Sequence, residues 1–311
     1  MTSHMWPSGE RSRSSSHPCG APPPQGSRCR PPVTPVGRTA RRGVVGRVPF
    51  EGMETRLDEV ADGIYRISTF IPEVAPPAGF TFNQFLVDAE EPLLFHTGMR
   101  QLFPLVSEAV ARVVPVESLR WITFGHVESD ECGAMNEFLA AAPHAQVAHG
   151  LLGCLVSLND LADRPPRPMA HGETLDLGGK QVRRRLRHLN TPHVPHNWEA
   201  RVLFEETTRT LFCGDLLTQV GNGPAVTGDD LTDQALNAEA AFRQTSCLTA
   251  AAQTLRSLAD LEPTTLAVMH GSSFHGDGGA ALRALADGLE ERFSPETEFA
   301  SRPSVLEGPP A

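Results

Sequence analysis

The sequence predicts an α/β fold, on three observations. Strand-like segments precede segments of helical spacing, and this order of strands then helices occurs twice along the chain. Candidate metal ligands stand four times just beyond a predicted strand, where α/β proteins usually carry their chemistry. The chain is 40% apolar, which suits a globular core, yet it has no run of 18 apolar residues that would span a membrane.

Charge divides the chain unevenly. Residues 1–52 hold eight arginines against Glu10 and Glu51, whereas the remainder holds 19 basic and 35 acidic residues. The basic segment is rich in Pro, Ser and Gly and cannot bury enough surface to offset its ordering entropy, so it reads as disordered. It is either a basic arm or targeting peptide, or a tail without a role ahead of a domain that opens at Met53. The acidic body argues against nucleic acid as the main partner. Six scattered cysteines without a CxxC spacing, and no apolar signal segment, favour free thiols in a reducing cytoplasm.

From Met53 the elements follow in order. Gly63–Ser68 alternates as a strand does, and after a Pro-rich loop at Ile71–Gly79 come two more, Phe80–Val87 and Pro92–Gly98. Leu102–Val114 is helical by spacing. Leu119–Phe124 is an apolar strand, and Ala134–Ala142 is a strong helix former with Met135, Phe138, Leu139 and Ala142 on one face. Ala145–His149 is a short strand, followed by a short helix near Leu151–Leu158. The second half opens with a hairpin over Glu173–Val182, turning at Gly178-Gly179. Arg184–Leu189 continues as a strand, and Ala200–Phe204 with Arg209–Cys213 forms another hairpin. Helical sequence runs from Asp233 to Leu261, then a strand at Thr265–Met269, a helix at Gly279–Arg292 and a disordered tail from 294 to 311.

The candidate ligands are His126, Glu128, Asp130 and Glu131; His193 and His196; Asp215; and His270. Singly, each has an ordinary explanation. A histidine near a strand end commonly bonds backbone, and an aspartate after Cys213-Gly214 suits a turn or a helix cap. Together, at the ends of converging strands, they suggest one site. In an extended or loop segment, residues at i, i+2 and i+4 converge from one side, which suits His126, Glu128 and Asp130.

The motif His126-x-Glu128-x-Asp130, followed by His196, Asp215 and His270-Gly271, resembles the metallo-β-lactamase fold. More narrowly, it resembles the branch that houses the di-iron, oxygen-binding domain of flavodiiron proteins, over about Met53 to Arg292. The resemblance implies a four-layer αββα sandwich over residues 53–293 and two metal ions. His126, Glu128 and His196 would hold the first ion, Asp130 and His270 the second, and Asp215 would bridge. Most hydrolases of the fold have His where this chain has Glu128. Replacing imidazole by carboxylate shifts preference from zinc towards iron or manganese, although carboxylates also ligate zinc.

Glu131 departs from the fold, which has His there as a ligand of the second metal. It would ligate, orient a ligand from outside, or leave the site mononuclear; the orienting role is preferred here. His193 would be a pocket wall or proton donor, and His96 and His275 loop hydrogen-bonders. Cys132 reads as a small buried residue opening the helix rather than a redox thiol, and Trp198 as packing over the metals. The expected pocket is built from Ile71–Gly79, Gly221–Gly228 and the segment after His270.

The function expected first is a non-haem di-iron oxidoreductase or oxygen-binding protein. No FMN phosphate loop is visible and 311 residues leave no room for a flavodoxin-like domain, so electrons would come from a separate protein. The resembled enzymes pair head to tail, so a homodimer is also expected. The alternatives are a binuclear zinc hydrolase of esters, thioesters, lactones or phosphodiesters, whose metal-bound hydroxide would attack the substrate, and a non-catalytic sensor of O2 or another ligand.

Overall fold

A computed structural model describes residues 53–293; both tails, 1–52 and 294–311, lie outside the described residues. Among the described residues, fourteen strands form two seven-stranded sheets. The first sheet runs in chain order: β1 (Thr55–Ala61), β2 (Ile64–Ile71), β3 (Phe80–Val87), β4 (Leu93–Phe95), β5 (Trp121–Thr123), β6 (Gln146–Gly150) and β7 (Arg167–Met169). It is antiparallel from β1 to β4 and parallel from β4 onwards. The second contains β8 (Thr174–Asp176), β9 (Arg185–Asn190), β10 (Arg201–Glu205), β11 (Thr210–Phe212), β12 (Val226–Thr227), β13 (Thr265–Ala267) and β14 (Ser273–His275). Its spatial order is β12-β14-β13-β11-β10-β9-β8.

The helices are α1 (Phe103–Ala111), a single turn α2 (Ser129–Cys132), α3 (Met135–Ala141) and α4 (Leu151–Gly153), which continues through a π turn into α5 (Asn159–Leu161). The second half adds α6 (Thr232–Phe242), α7 (Leu248–Ala259) and α8 (Gly278–Arg292).

Three apolar cores separate four layers. On the outer face of the first sheet, Leu86, Leu94 and Ile122 pack with Val106, Val110, Phe138 and Leu139 from α1 and α3. Between the sheets lie Phe85, Leu93, Phe95, Leu203, Phe212 and Ala267, with Phe212 5.1 Å from Phe95 and 5.8 Å from Phe85 between ring centres. On the outer face of the second sheet, Leu211 and Leu266 meet Leu236, Leu255, Leu282 and Leu289 from α6, α7 and α8. Alternation explains the wholly buried strands: Phe85 and Phe95 point to the inner core, Leu86 and Leu94 to the outer one. This is the expected αββα sandwich.

Several expected elements differ in detail. The hairpin over Glu173–Val182 is not closed at Gly178-Gly179. β8 pairs instead with β9, Thr174 opposite Arg187, and residues 177–184 form the connection. Residues 179–183 are all exposed, so no buried face holds them in a strand. The helical stretch from Asp233 to Leu261 is two helices, broken at Arg243, whose φ is +51°. The ligand-bearing stretch after β5 is not wholly extended: it closes into α2, which carries Asp130 and Glu131. Among the described residues, no helix is long and apolar enough to cross a membrane.

Candidate metal centre

β9, β11 and β13 run parallel, so the segments after them emerge at one end of the second sheet. They deliver His196, Asp215 and His270. From the first sheet, the segment after β5 delivers His126, Glu128 and Asp130. The structure thus gathers all six expected residues, three from each sheet.

His126, Glu128, His196 and Asp215 each offer one donor atom within 4.8 Å of the others. His126 Nε2 lies 2.7 Å from Glu128 Oε2 and 3.0 Å from His196 Nε2. Asp215 is buried and divides its oxygens: Oδ2 stands 3.3 Å from His196 Nε2 and 3.7 Å from His126 Nε2, while Oδ1 stands 3.2 Å from His270 Nε2. Asp130 Oδ2 is 3.5 Å from His270 Nε2. The arrangement is two adjoining donor sets that share Asp215.

The far nitrogen of each imidazole is already engaged. His196 Nδ1 lies 3.1 Å from the Gln244 carbonyl and His270 Nδ1 lies 2.8 Å from the Thr81 carbonyl. A carbonyl only accepts, so both Nδ1 atoms carry hydrogen and donate, and both Nε2 atoms face the centre. His126 Nδ1 meets the Glu131 carboxylate at 3.2 Å. Such outer partners fix tautomer and ring orientation in metal-ligating histidines. Asp215 Oδ1, buried without a hydrogen-bond partner, faces the same centre. The donor set therefore fits a pair of cations.

In the protein alone, protons take the place of cationic charge. Burial disfavours the charged ring of His126, but Glu131, Glu128 and Asp215 outweigh it and raise its pKa to about 12. Burial likewise opposes the charged form of His270, and Asp130 and Asp215 still raise it to about 10. Hydrogen bonds from His126 and His196 hold the Glu128 carboxyl well below its usual range. Cation binding at neutral pH must release these protons.

Glu131 takes no place among the inward-facing donors. Its side chain is fully buried, and Oε2 accepts the His126 backbone N–H at 2.6 Å. Oε1 faces His126 Nδ1 and lies 3.4 Å from His96 Nε2. A Cβ on Gly125 would sit 3.0 Å and 3.1 Å from the two carboxylate oxygens, and one on Gly214 3.6 Å from Oε1. Gly125 thus makes room for the carboxylate, and its place directly before His126 is the sequence signal for this buried acid.

Beneath the centre, Arg201 of β10 is buried between the sheets. Its guanidinium donates to the Thr123 hydroxyl, to the Ala148 carbonyl at 2.7 Å and to His188 Nδ1 at 2.8 Å. His188 Nε2 then donates to Asn190 Oδ1 at 2.6 Å. The backbone N–H of Arg201 donates to the Gly125 carbonyl at 2.9 Å, tying β10 to the loop that leads to His126.

The remaining expectations separate. His193 is exposed at a φ of +63° and does not line the cavity, so it is neither pocket wall nor proton donor there. His96 is a buried hydrogen-bonder, and His275 lies at the surface 3.1 Å from the Thr265 hydroxyl. Trp198 does not pack over the donor group; it is 39% exposed and lines a different groove with Leu151, Leu152 and Leu155. Burial raises the Cys132 thiol to about 12, so it stays neutral at neutral pH. The cavity beside the centre, about 760 Å³, is not built from the three loops expected. It runs from Glu128 and His196 past Cys132, Met135, Asn136 and Gln244, because the first turn of α3 and the break between α6 and α7 border the ligands.

Comparison with known proteins finds relatives over part of the chain. The chain is 29% identical over 147 residues to a putative diflavin flavoprotein A 1 of Thermosynechococcus vestitus, covering 46% of this chain and 25% of that protein. It is 29% identical over 108 residues to a rubredoxin-oxygen oxidoreductase of Megalodesulfovibrio gigas, covering 34% of this chain and 27% of the relative. It spans about a quarter of the length of these curated relatives. Among solved structures, a fragment of a putative diflavin flavoprotein A 5 from Nostoc superposes with a TM-score of 0.68 at 17% identity, covering 80% of this chain and 100% of that one. Rubredoxin oxygen:oxidoreductase from Desulfovibrio gigas superposes with a TM-score of 0.63 at 21% identity, over 76% of this chain and 62% of that one. These likenesses share the fold. The family model described as ODP family beta lactamase matches residues 80–271, from the first residue of β3 to the glycine after His270 and across every ligand position between. By that match, the chain belongs to the ODP beta-lactamase family.

Proposed function

We propose that this protein is a non-haem di-iron oxidoreductase or oxygen-binding protein that receives electrons from a separate partner. The observation that carries the reading is Glu128: a carboxylate completes the group with His126, His196 and Asp215, a harder donor set than one built mainly from imidazoles. Likeness to a rubredoxin-oxygen oxidoreductase supports the same reading.

His126, Glu128 and His196 would hold one iron, Asp130 and His270 the other, with Asp215 between them. Bound iron would supply the redox chemistry, passing electrons to O2 or nitric oxide. The chain's own residues do the rest. Phe80 stacks on His270 at 4.2 Å and Phe82 meets it edge-on at 5.3 Å, which dries one flank of the centre. Glu128, half-exposed, faces the cavity where a small oxidant or an electron donor would approach. Four free cysteines among the described residues suit a reducing cytoplasm, and a homodimer is the assembly we expect.

The test is metal analysis of protein expressed with iron and zinc both supplied, followed by anaerobic reduction and exposure to O2 or nitric oxide. Iron near two per chain with consumption or reversible binding of either gas is expected. Protein without iron that leaves both gases untouched refutes the reading. Two zinc ions with an esterase activity lost in His196→Ala would make it a hydrolase instead.

A further inference from the structure

The two metal positions are unequal, and the cause is the direction in which Glu131 faces. We infer that the position formed by His126, Glu128, His196 and Asp215 fills first and tightly, and that the position formed by Asp130, His270 and Asp215 is weaker and exchangeable. Glu131 acts as a positioning residue for the first and contributes nothing to the second. The inference rests on the two-metal reading above.

The geometry is explicit. Asp130 and Glu131 are neighbours on the single turn α2, about 100° apart around the helix axis, so they cannot face the same side. Asp130 faces the donor group, towards His270. Glu131 faces away from it into the protein interior, where Oε2 accepts the His126 N–H at 2.6 Å and Oε1 lies 3.2 Å from His126 Nδ1. Nδ1 and Nε2 are on opposite edges of the imidazole. A carboxylate held at Nδ1 lies across the ring from whatever Nε2 binds.

Nor is the carboxylate free to turn. His96 closes one side at 3.4 Å, and Gly125 closes another, where even an added Cβ would come within 3.0 Å and 3.1 Å of the two oxygens. The first position therefore has four protein donors, one of them pre-oriented by a buried carboxylate. The second has three. Outer partners of this kind are worth about 10–100-fold in metal affinity, so the gap between the two positions is set both by donor number and by Glu131.

The experiment is an anaerobic titration of the full chain with Mn(II), read by calorimetry and by electron paramagnetic resonance. The resonance separates one isolated bound ion from a coupled pair. Two steps about tenfold or more apart are expected, the first giving an isolated ion and the second the coupled pair. His270→Ala should remove the second step and keep the first. Glu131→Gln should weaken the first step by about 10–100-fold. Glu131→Asp keeps the charge but shortens the reach to Nδ1, and should behave like Glu131→Gln.

Two steps of equal affinity overturn the inference. So does a folded Glu131→Gln that leaves the first step unchanged, or a Glu131→Asp that binds as the unaltered chain does. Should both Glu131 variants fail to fold, the unaltered chain and His270→Ala decide the question. No Mn(II) binding at all would remove the two-metal reading itself, which is a different result from two equal steps.

Discussion

Replacing Gly125 by alanine tests whether space around Glu131 is what builds the centre. The added methyl would meet the carboxylate oxygens at 3.0 Å and 3.1 Å and the Arg201 carbonyl at 3.4 Å. Gly125 is not among the residues with positive φ, so the cost is one of room rather than of backbone strain. The carboxylate has little freedom to retreat, because it is held by the His126 N–H at 2.6 Å and faces His96 on its other side. Overpacking of this kind costs about 1–3 kcal/mol. In a domain of this size each kcal/mol lowers the melting temperature by roughly 2–4 °C. The assay is thermal and urea unfolding of Gly125→Ala beside Gly228→Ala, where the nearest atom to the new methyl is 3.7 Å away. Gly125→Ala should melt several degrees lower and bind Mn(II) more weakly, since His126 moves with its partner. If the two variants unfold within about 0.5 kcal/mol of each other and bind Mn(II) equally, the packing argument fails.

Three other outcomes are expected. Thr81→Val removes the hydroxyl that accepts the Gly271 N–H at 2.7 Å, and leaving that buried donor unpaired should cost about 1–3 kcal/mol in urea unfolding. An unchanged midpoint would show that Gly271 finds another acceptor. Asp215→Asn keeps the shape but not the shared anionic charge, and metal analysis should find both positions depleted; loss of only one would mean that Asp215 does not bridge. The raised His126 and His270 make metal-free stability depend on pH. Their folded values, about 12 and about 10, exceed the ordinary 6.5, so their stabilisation is complete below about 6.5 and is lost as pH rises through 10 and then 12. Chelator-treated protein should therefore unfold at lower urea at pH 9.5 than at pH 6, and a reversed order would refute the assignment.

What the sequence could show depended on how local the cause was. β3 is legible to the residue, Phe80–Val87, because apolar strands buried on both faces are marked along their own length. β1 escaped notice because Thr55–Ala61 is an edge strand with only Val60 buried, and β14 because three residues make too short a pattern. The break between α6 and α7 falls on Thr245-Ser246-Cys247, poor helix formers that stronger helical spacing on either side concealed. All six expected ligands converge, since each follows a strand whose end the fold brings to one edge. The orientation of Glu131 was not legible in the same way. It depends on His96, thirty-five positions earlier, and only contact in three dimensions joins the two. Trp198 misled for the opposite reason: nearness in sequence to His196 did not carry its ring to the same side.

Arg201 ties together the two sheets that carry the candidate ligands. Each sheet supplies half of the ligands, so the gap an ion must fill is the gap between two separately built walls. A buried guanidinium bonded across that gap, to the Thr123 hydroxyl and the Ala148 carbonyl, pins the walls together. Parting them would strand a charge in the dry interior, a penalty of several kcal/mol. On the two-metal reading proposed above, an ion of larger radius, or one that changes its radius on oxidation, would be accommodated by the half-exposed Glu128 at the rim. The frame would stay fixed while the rim adjusts.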